Sequence, residues 1–278
     1  MVMNEFEYAS RVDGWKIHAY RWPCDAARGV VVISHGMAEH ALRYARFAAT
    51  LNAAGYDAWA MDHRAHGRTL GPDGFGDFGE GGFDALVDDI DQLIEIAAAE
   101  RPGLPIVLFG HSMGAGAAQQ FAPRGSGKIA ALILSGTTLR HPDEPIVPFN
   151  DAFEPARTAY DWLSRDEAEV DKYIADPLCG FEGQTVKNGF KRNDRRRVDP
   201  DRLERIRADL PVLLVAGDAD PVNRGLKGIE YLEQKWREAG VQRIDRQIYA
   251  GGRHEMLNEI NRDEVTRNII EWIDRRLT

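Results

Sequence analysis

Short and mostly apolar runs, separated by segments of helical spacing, constrain the fold of this chain most strongly. The main runs are residues 30–33, 56–61, 106–109, 131–134 and 212–215, and residues 246–249 form a weaker one. Strands that are apolar on both faces are typical of a parallel sheet with helices on both sides. An earlier hairpin, residues 6–10 and 15–22 around Asp13-Gly14, raises the count to about eight strands. The pattern predicts an α/β fold with a mostly parallel sheet.

Helical periodicity occupies most of the intervals between these runs, namely residues 40–54, 84–100, 113–122, 223–239 and 262–276. Alternating strands and helices indicate a doubly wound sheet with right-handed crossovers. The interval 139–209 is different, because it is too long for one crossover and has no apolar strand run. We therefore predict a core made of residues 1–138 and 210–278, interrupted by an inserted helical lid at residues 139–209.

Composition and charge narrow the class of protein. The 278 residues are 44% hydrophobic and 28% charged, which is ordinary for a globular chain. The formal charge of -9 disfavours nucleic acid as a partner, since phosphate backbones are repelled by an acidic surface. One basic run occurs, and we interpret it as solvated surface: Lys191-Arg192-Asn193-Asp194-Arg195-Arg196-Arg197.

The N-terminal residues are acidic and lack the basic and apolar order of a secretory signal, and no stretch approaches the roughly 18 apolar residues of a membrane span. We therefore expect a cytoplasmic protein. Cys24 and Cys179 are distant in sequence, which predicts reduced thiols rather than a disulfide framework or a zinc site. The histidine pairs 35/40 and 63/66 lie in predicted loops, and we expect neither a metal nor a cofactor.

The most specific motif directly follows the run 106–109 and precedes a helix rich in small residues: Gly110-His111-Ser112-Met113-Gly114. A turn this sharp between strand and helix strains the serine backbone and leaves room only for glycine at the flanking positions. It exposes the hydroxyl above the sheet, beside the positive N-terminal end of the helix. Ser112 is therefore the candidate nucleophile.

A serine hydroxyl needs a base to accept its proton and a carboxylate to orient that base. On this kind of sheet the order along the chain is Ser, Asp, His, with each residue after a later strand. His254 follows the run 246–249 in a glycine-rich loop, which makes it the candidate base. Asp218 and Asp220 both follow the run 212–215, and spacing alone does not separate them.

An oxyanion hole requires two backbone N–H donors, one from the residue after the nucleophile and one from the loop after an early strand. Met113 satisfies the first requirement. The loop Ser34-His35-Gly36-Met37 supplies the second, because Gly36 permits close approach of the backbone and Met37 carries the N–H.

These motifs resemble the monoacylglycerol lipase and bacterial lysophospholipase branch of the α/β-hydrolases. The resemblance runs nearly from end to end and rests on the family patterns HGxxEHxxRY, DHRGHGRS and GHSMG, which correspond here to residues 35–44, 62–68 and 110–114. Residues 163–166 and 175–180 of the predicted lid are similar as well. Glycine is usual in the family where Ala65 and Ala115 stand. The family's acidic residue, the fourth of a GxxD pattern, corresponds to Asp220, and its histidine to His254.

The resemblance implies an α/β-hydrolase fold and a serine hydrolase that cleaves monoacylglycerol or lysophospholipid esters through an acyl-enzyme. It also implies acyl chains sheltered under the lid. As partners we expect a small acyl ester substrate and transient contact of the lid with a membrane surface. Two alternatives stay open. One is a carboxylesterase, thioesterase or lactonase that acts on a soluble ester, and the other is a ligand-binding protein without catalysis.

Overall fold

A computed structural model describes residues 2–71, 73–141, 148–181, 187–189 and 195–277. Eight strands form one sheet in the order β1-β2-β4-β3-β5-β6-β7-β8. Their bounds are β1 Asn4–Ala9, β2 Lys16–Trp22, β3 Gly29–Ser34, β4 Tyr56–Met61, β5 Ile106–His111, β6 Ala131–Ser135, β7 Val212–Gly217 and β8 Ile244–Tyr249. Strands β3 to β8 are parallel, while β1 and β2 form an antiparallel hairpin whose turn places Gly14 at φ 74°. The predicted α/β-hydrolase sheet is confirmed.

Seven α-helices accompany these strands in the described residues: α1 Ala45–Ala53, α2 Gly82–Glu100, α3 Met113–Gly125, α4 Glu167–Ala175, α5 Pro200–Leu203, α6 Lys227–Glu238 and α7 Arg262–Leu277. Two buried clusters cover the two faces of the sheet. Helices α2, α3 and α6 pack on one face, and α1 and α7 pack on the other. Strands with few polar side chains are thus shielded on both sides, as their composition predicts.

The order of the strands creates a crevice above the sheet. From β3 the chain crosses to β4 on one side, and β5 then returns to the other side of β3. Ligands of open α/β sheets bind where the direction of winding reverses, beyond the carboxyl ends of the strands. Since Ser34 at the end of β3 is paired with Gly110 in β5, the loops after these two strands share that crevice.

Two predicted helices begin later than the periodicity suggests. The segment predicted from residue 40 starts as a 3-10 turn, Ala41–Tyr44, and becomes α-helical at Ala45. The segment predicted from Asn223 begins at Lys227, because the Asn223 side chain accepts the Leu226 N–H and Leu226 takes φ 72°. A local turn stabilised by a side chain here replaces the first helical turn.

The chain between β6 and β7, residues 136–211, forms an insertion above the crevice. Its described part contains α4, α5 and several 3-10 turns. The exact lid bounds 139–209 stay a prediction, and residues 142–147 lie outside the described ones. The surface assignment of the basic run is wrong for Arg197, which is 4% exposed and binds the Gln119 and Thr138 oxygens. Residues 191–194 of that run are not described.

Both cysteines are free, in agreement with the prediction. Among the helices within the described ranges, none combines the length and the apolar character that a bilayer crossing requires.

Candidate active site

Ser112 occupies a sharp turn between β5 and α3. Its backbone has φ 51° and ψ -113°, a conformation that is strained for a residue with a side chain. The flanking glycines are required by close packing: a Cβ on Gly114 would lie 2.2 Å from the Ser34 carbonyl oxygen, and one on Gly110 would lie 2.7 Å from the Gly114 oxygen. The predicted strand–turn–helix geometry is therefore present.

His254 and Asp220 form a buried pair. Nδ1 of the imidazole lies 2.9 Å from Oδ2 of Asp220, and the two residues are 2% and 1% exposed. Asp220 Oδ1 accepts a further hydrogen bond from the Val222 N–H at 2.8 Å. Asp218 is exposed, and its carboxylate braces the neighbouring loop by accepting the Gly251 N–H at 2.6 Å. The geometry thus separates two aspartates that spacing leaves equivalent.

The loop after β3 lies beside Ser112. A Cβ on Gly36 would come within 3.3 Å of the Ser112 Cβ, so a glycine permits this close approach. The Gly36 N–H donates to Oε1 of Glu39 at 2.5 Å, which anchors the loop. Met37 follows directly, and Met113 begins α3, where first-turn N–H groups have no acceptor inside the helix. Both methionines line the cavity that contains Ser112.

A cavity of about 410 Å³ separates the core from the insertion. Its core side includes Ser112, His254 and the two methionines, and its opposite wall is largely aromatic and aliphatic: Phe149, Tyr160, Trp162, Leu163, Tyr173 and Phe181. Within the described part of the chain, no hydrogen bond joins the Ser112 hydroxyl to His254. The two side chains meet as walls of this one cavity, and such bonds are often formed only when substrate binds.

A buried ion cluster lies behind His254. Arg43 donates to Oε2 of Glu39 at 2.7 Å and makes two bonds, 2.7 and 2.8 Å, to Glu255. Burial is the largest influence and raises the pKa of each of these carboxyls. The Arg43 guanidinium lowers both pKa values, and at Glu39 the Tyr44 hydroxyl and the Gly36 N–H act with it, so that both pKa values lie below their usual range. The cluster links the Gly36 loop, through Glu39, to the residue that follows His254.

Four buried histidines are held neutral around the site. Burial, followed by the charge of His254, lowers the pKa of His111 to about 4. Burial also lowers the pKa of His66 to about 4, and the pKa values of His35 and His63 fall well below 6.5. At neutral pH these imidazoles pack as uncharged rings, and His35, His63 and His66 also form hydrogen bonds.

Some residues of this site were not singled out by the sequence patterns. Glu39 and Arg43 stand inside the HGxxEHxxRY resemblance and have a helical i,i+4 spacing, which is a usable signal for an ion pair. Glu255 gives no signal beyond its position next to His254. Trp162 gives none either, because its contact with the core depends on how the insertion folds back.

One group of possible metal ligands is present in the described residues. His40, Asp176 and Cys179 offer atoms within 4.8 Å of one another, and Nε2 of His40 lies 2.8 Å from Oδ2 of Asp176. An ion pair between core and insertion accounts for the first two. The expectation that the protein needs no metal or cofactor stays a prediction.

Known proteins are similar to this chain over most of its length. The family model described as "Serine aminopeptidase, S33" matches residues 25–261. Monoacylglycerol lipase of Mycolicibacterium smegmatis is 31% identical, over 97% of this chain and 96% of the relative. Human monoglyceride lipase is 28% identical, over 98% of this chain and 91% of the relative. A thermostable carboxyl esterase from Bacillus coagulans, solved with glycerol, superposes with a TM-score of 0.89 at 26% identity and complete coverage of both chains.

The family model covers most of the chain, and the mycobacterial relative exceeds 30% identity over nearly all of it. The family description refers to a peptidase, whereas the relatives and the structural neighbour are lipases and an esterase. The chain belongs to the serine aminopeptidase S33 family of α/β-hydrolases, in its monoglyceride lipase branch, and is a serine ester hydrolase.

Proposed function

We propose that the protein hydrolyses monoacylglycerol or lysophospholipid esters, with Ser112 as nucleophile, His254 as base and Asp220 as the orienting carboxylate. The observation that carries the assignment is the buried 2.9 Å pair of His254 and Asp220 in the same cavity as the strained Ser112 turn. We do not assign this role to Asp218, because its carboxylate accepts a hydrogen bond from the Gly251 N–H instead.

In the proposed reaction, the Ser112 oxygen attacks the ester carbonyl carbon while His254 accepts the hydroxyl proton. The N–H groups of Met37 and Met113 stabilise the oxyanion, and the C–O bond to the alcohol then breaks. His254 returns the proton to the departing alkoxide, which leaves an acyl-enzyme. Water adds by the same route with His254 again as base, and it releases the fatty acid and Ser112.

The walls of the cavity support a single acyl chain as the substrate group. The insertion presents aromatic and aliphatic side chains opposite Ser112, which suits an alkyl chain. Relatives named monoacylglycerol lipase and monoglyceride lipase cover nearly the whole chain. A small soluble ester is the second candidate, supported by the similarity to the Bacillus carboxyl esterase.

The decisive experiment compares labelling and turnover. We expect a fluorophosphonate probe to label the wild-type protein and not Ser112→Ala. Labelling of Ser112→Ala would overturn the assignment of the nucleophile. A panel of monoacylglycerols, lysophospholipids and short p-nitrophenyl esters then separates the candidates, since kcat/KM should be highest for a long monoacyl lipid. The highest value for an acetyl ester would favour the small soluble ester.

Contact of the insertion with a lipid surface is part of the same proposal. Ile174 in α4 is 47% exposed and offers one apolar contact point there. Sedimentation with zwitterionic phosphatidylcholine vesicles should be weaker for Ile174→Ser than for the wild type, and equal sedimentation of the two proteins would contradict this lipid contact.

A further inference from the structure

The insertion is fastened to the loop that carries His254. Two backbone bonds join them: the Glu255 N–H donates to the Leu163 carbonyl at 2.8 Å, and the His254 N–H donates to the Trp162 carbonyl at 3.4 Å. The Arg253 guanidinium adds bonds to the carbonyls of Asp161 and Ser164 at 2.5 and 3.1 Å. Residues 161–164 therefore lie against the His254 loop along their whole length.

Ion pairs of the next two residues of the insertion continue this attachment. Arg165 donates to Glu259 through its N–H and its Nε, at 3.1 and 2.9 Å, and Glu259 is fully buried. Arg262 donates to Asp166 at 2.6 Å. A segment with this many bonds to the core is a fixed wall, unlike a lid segment that must swing away to admit substrate.

Within this fixed segment, Trp162 packs directly on the His254 imidazole. Its ring centroid is 5.0 Å from that of His254, with an interplanar angle of 42°. His111 packs on the same imidazole at 4.8 Å and 52°. Asp220 holds only the Nδ1 end of the ring, so these two aromatic contacts restrict its remaining rotation.

We propose that Trp162 is a positioning residue: it holds the His254 imidazole at the angle from which Nε2 can accept the Ser112 proton. The proposal rests on the roles proposed above for Ser112 and His254. It goes beyond the lining of a substrate cavity, since it makes the insertion a structural part of the proton-transfer machinery. A misplacement of about 1 Å at a reacting group can reduce a rate about 100-fold.

The test compares Trp162→Leu with Phe153→Leu. Phe153 is another aromatic of the insertion, but it does not line the cavity, and its ring packs on the Arg253 guanidinium at 4.2 Å rather than on His254. For Trp162→Leu we expect kcat to fall by roughly 10- to 100-fold, with KM changed by less than about threefold. Phe153→Leu removes an aromatic ring of the insertion without touching the imidazole, and it should leave kcat and KM close to their wild-type values. Trp162→Phe keeps an aromatic ring and should recover most of kcat.

A second readout does not depend on the binding of an acyl chain. The rate constant for inactivation by a small fluorophosphonate should fall with kcat in Trp162→Leu and stay at the wild-type value in Phe153→Leu. A wild-type inactivation rate in Trp162→Leu, or a change in KM alone, would overturn the positioning role. Labelling of Ser112→Ala would instead overturn the proposed function, so the two failures are distinguishable. Equal loss in Trp162→Phe and Trp162→Leu would also contradict the proposal.

Discussion

The two halves of the candidate site are held in different ways. The Ser112 turn is formed by neighbours in sequence and by backbone contacts, since Gly114 leaves no space between α3 and the Ser34 carbonyl. The His254 loop is instead held by side chains from distant parts of the chain, among them Asp220, Arg43 through Glu255, and Trp162. A short motif thus defines one half, while the other requires the folded insertion and core together.

The largest expected effect concerns the distant partner of His254. Asp220→Asn should lower kcat by roughly 10⁴-fold, about 5.5 kcal/mol in activation free energy, because the amide favours the wrong imidazole tautomer. Asp218→Asn removes only a brace to the Gly251 N–H and should stay within about tenfold of the wild type. Steady-state kinetics on one ester compares the two, and a larger loss in Asp218→Asn would reverse the assignment.

The half of the site that contains the Ser112 turn should not tolerate a side chain at Gly114. Gly114→Ala should reduce the free energy of unfolding by about 4 kcal/mol or more, because a Cβ there meets a backbone oxygen that has no room to move. Gly127→Ala is the matched control, since a Cβ on this exposed glycine meets nothing within 4 Å. Urea unfolding measures both variants. Wild-type stability in Gly114→Ala would show that the turn is looser than its packing indicates.

The ion cluster behind His254 should respond to loss of its cation. Arg43→Met leaves the buried Glu39 and Glu255 without their shared partner, and we expect a loss of about 3 kcal/mol in unfolding free energy at pH 7. Arg46→Met is the control, because it removes the ion pair of Arg46 with Glu169. The Arg46 side chain is 43% exposed, against 11% for Arg43. Its loss should lower the free energy of unfolding by less than about 1 kcal/mol. Denaturant melts that rank the two variants equally would contradict a buried, coupled cluster.

The smallest expected effect per group is the acid sensitivity of the buried histidines. The folded state keeps the pKa of His66 and His111 at about 4, below their unfolded value near 6.5. Between these values the unfolded chain binds more protons, so stability decreases as pH falls from about 6.5 toward 4. Each group should contribute about 2 kcal/mol to the loss by pH 5. His66→Gln should flatten this part of a stability profile, and an unchanged slope would indicate that His66 is protonated in the fold.

Sequence patterns predicted the fold well because the decisive signals are local. Apolar runs and a hairpin turn indicate eight strands, and the structure has eight. The strand–turn–helix geometry around Ser112 was equally predictable, since its glycines and its position after a strand are read directly along the chain. The late starts of the helices at Ala45 and Lys227 were missed, because periodicity does not register the local turns that precede them.

Other features depend on contacts between residues far apart in the chain. Asp218 and Asp220 stand two residues apart after the same strand, and only the course of the loop after β7 decides which carboxylate meets His254. Arg197 belongs to a basic run typical of surface, yet it is buried against Gln119 because the insertion folds back over α3. Spacing along the chain does not predict such contacts between distant residues.

The amino-acid sequence alone therefore determined the strand and helix layers, the Ser112 turn and the region in which a base and an acid must lie. The tertiary structure decided which aspartate pairs with His254, how the insertion fastens to the His254 loop, and how Arg43 joins two carboxylates. The physical reason is that backbone conformation and apolar patterning act over a few residues, whereas hydrogen bonds between side chains depend on distances that only the complete fold establishes.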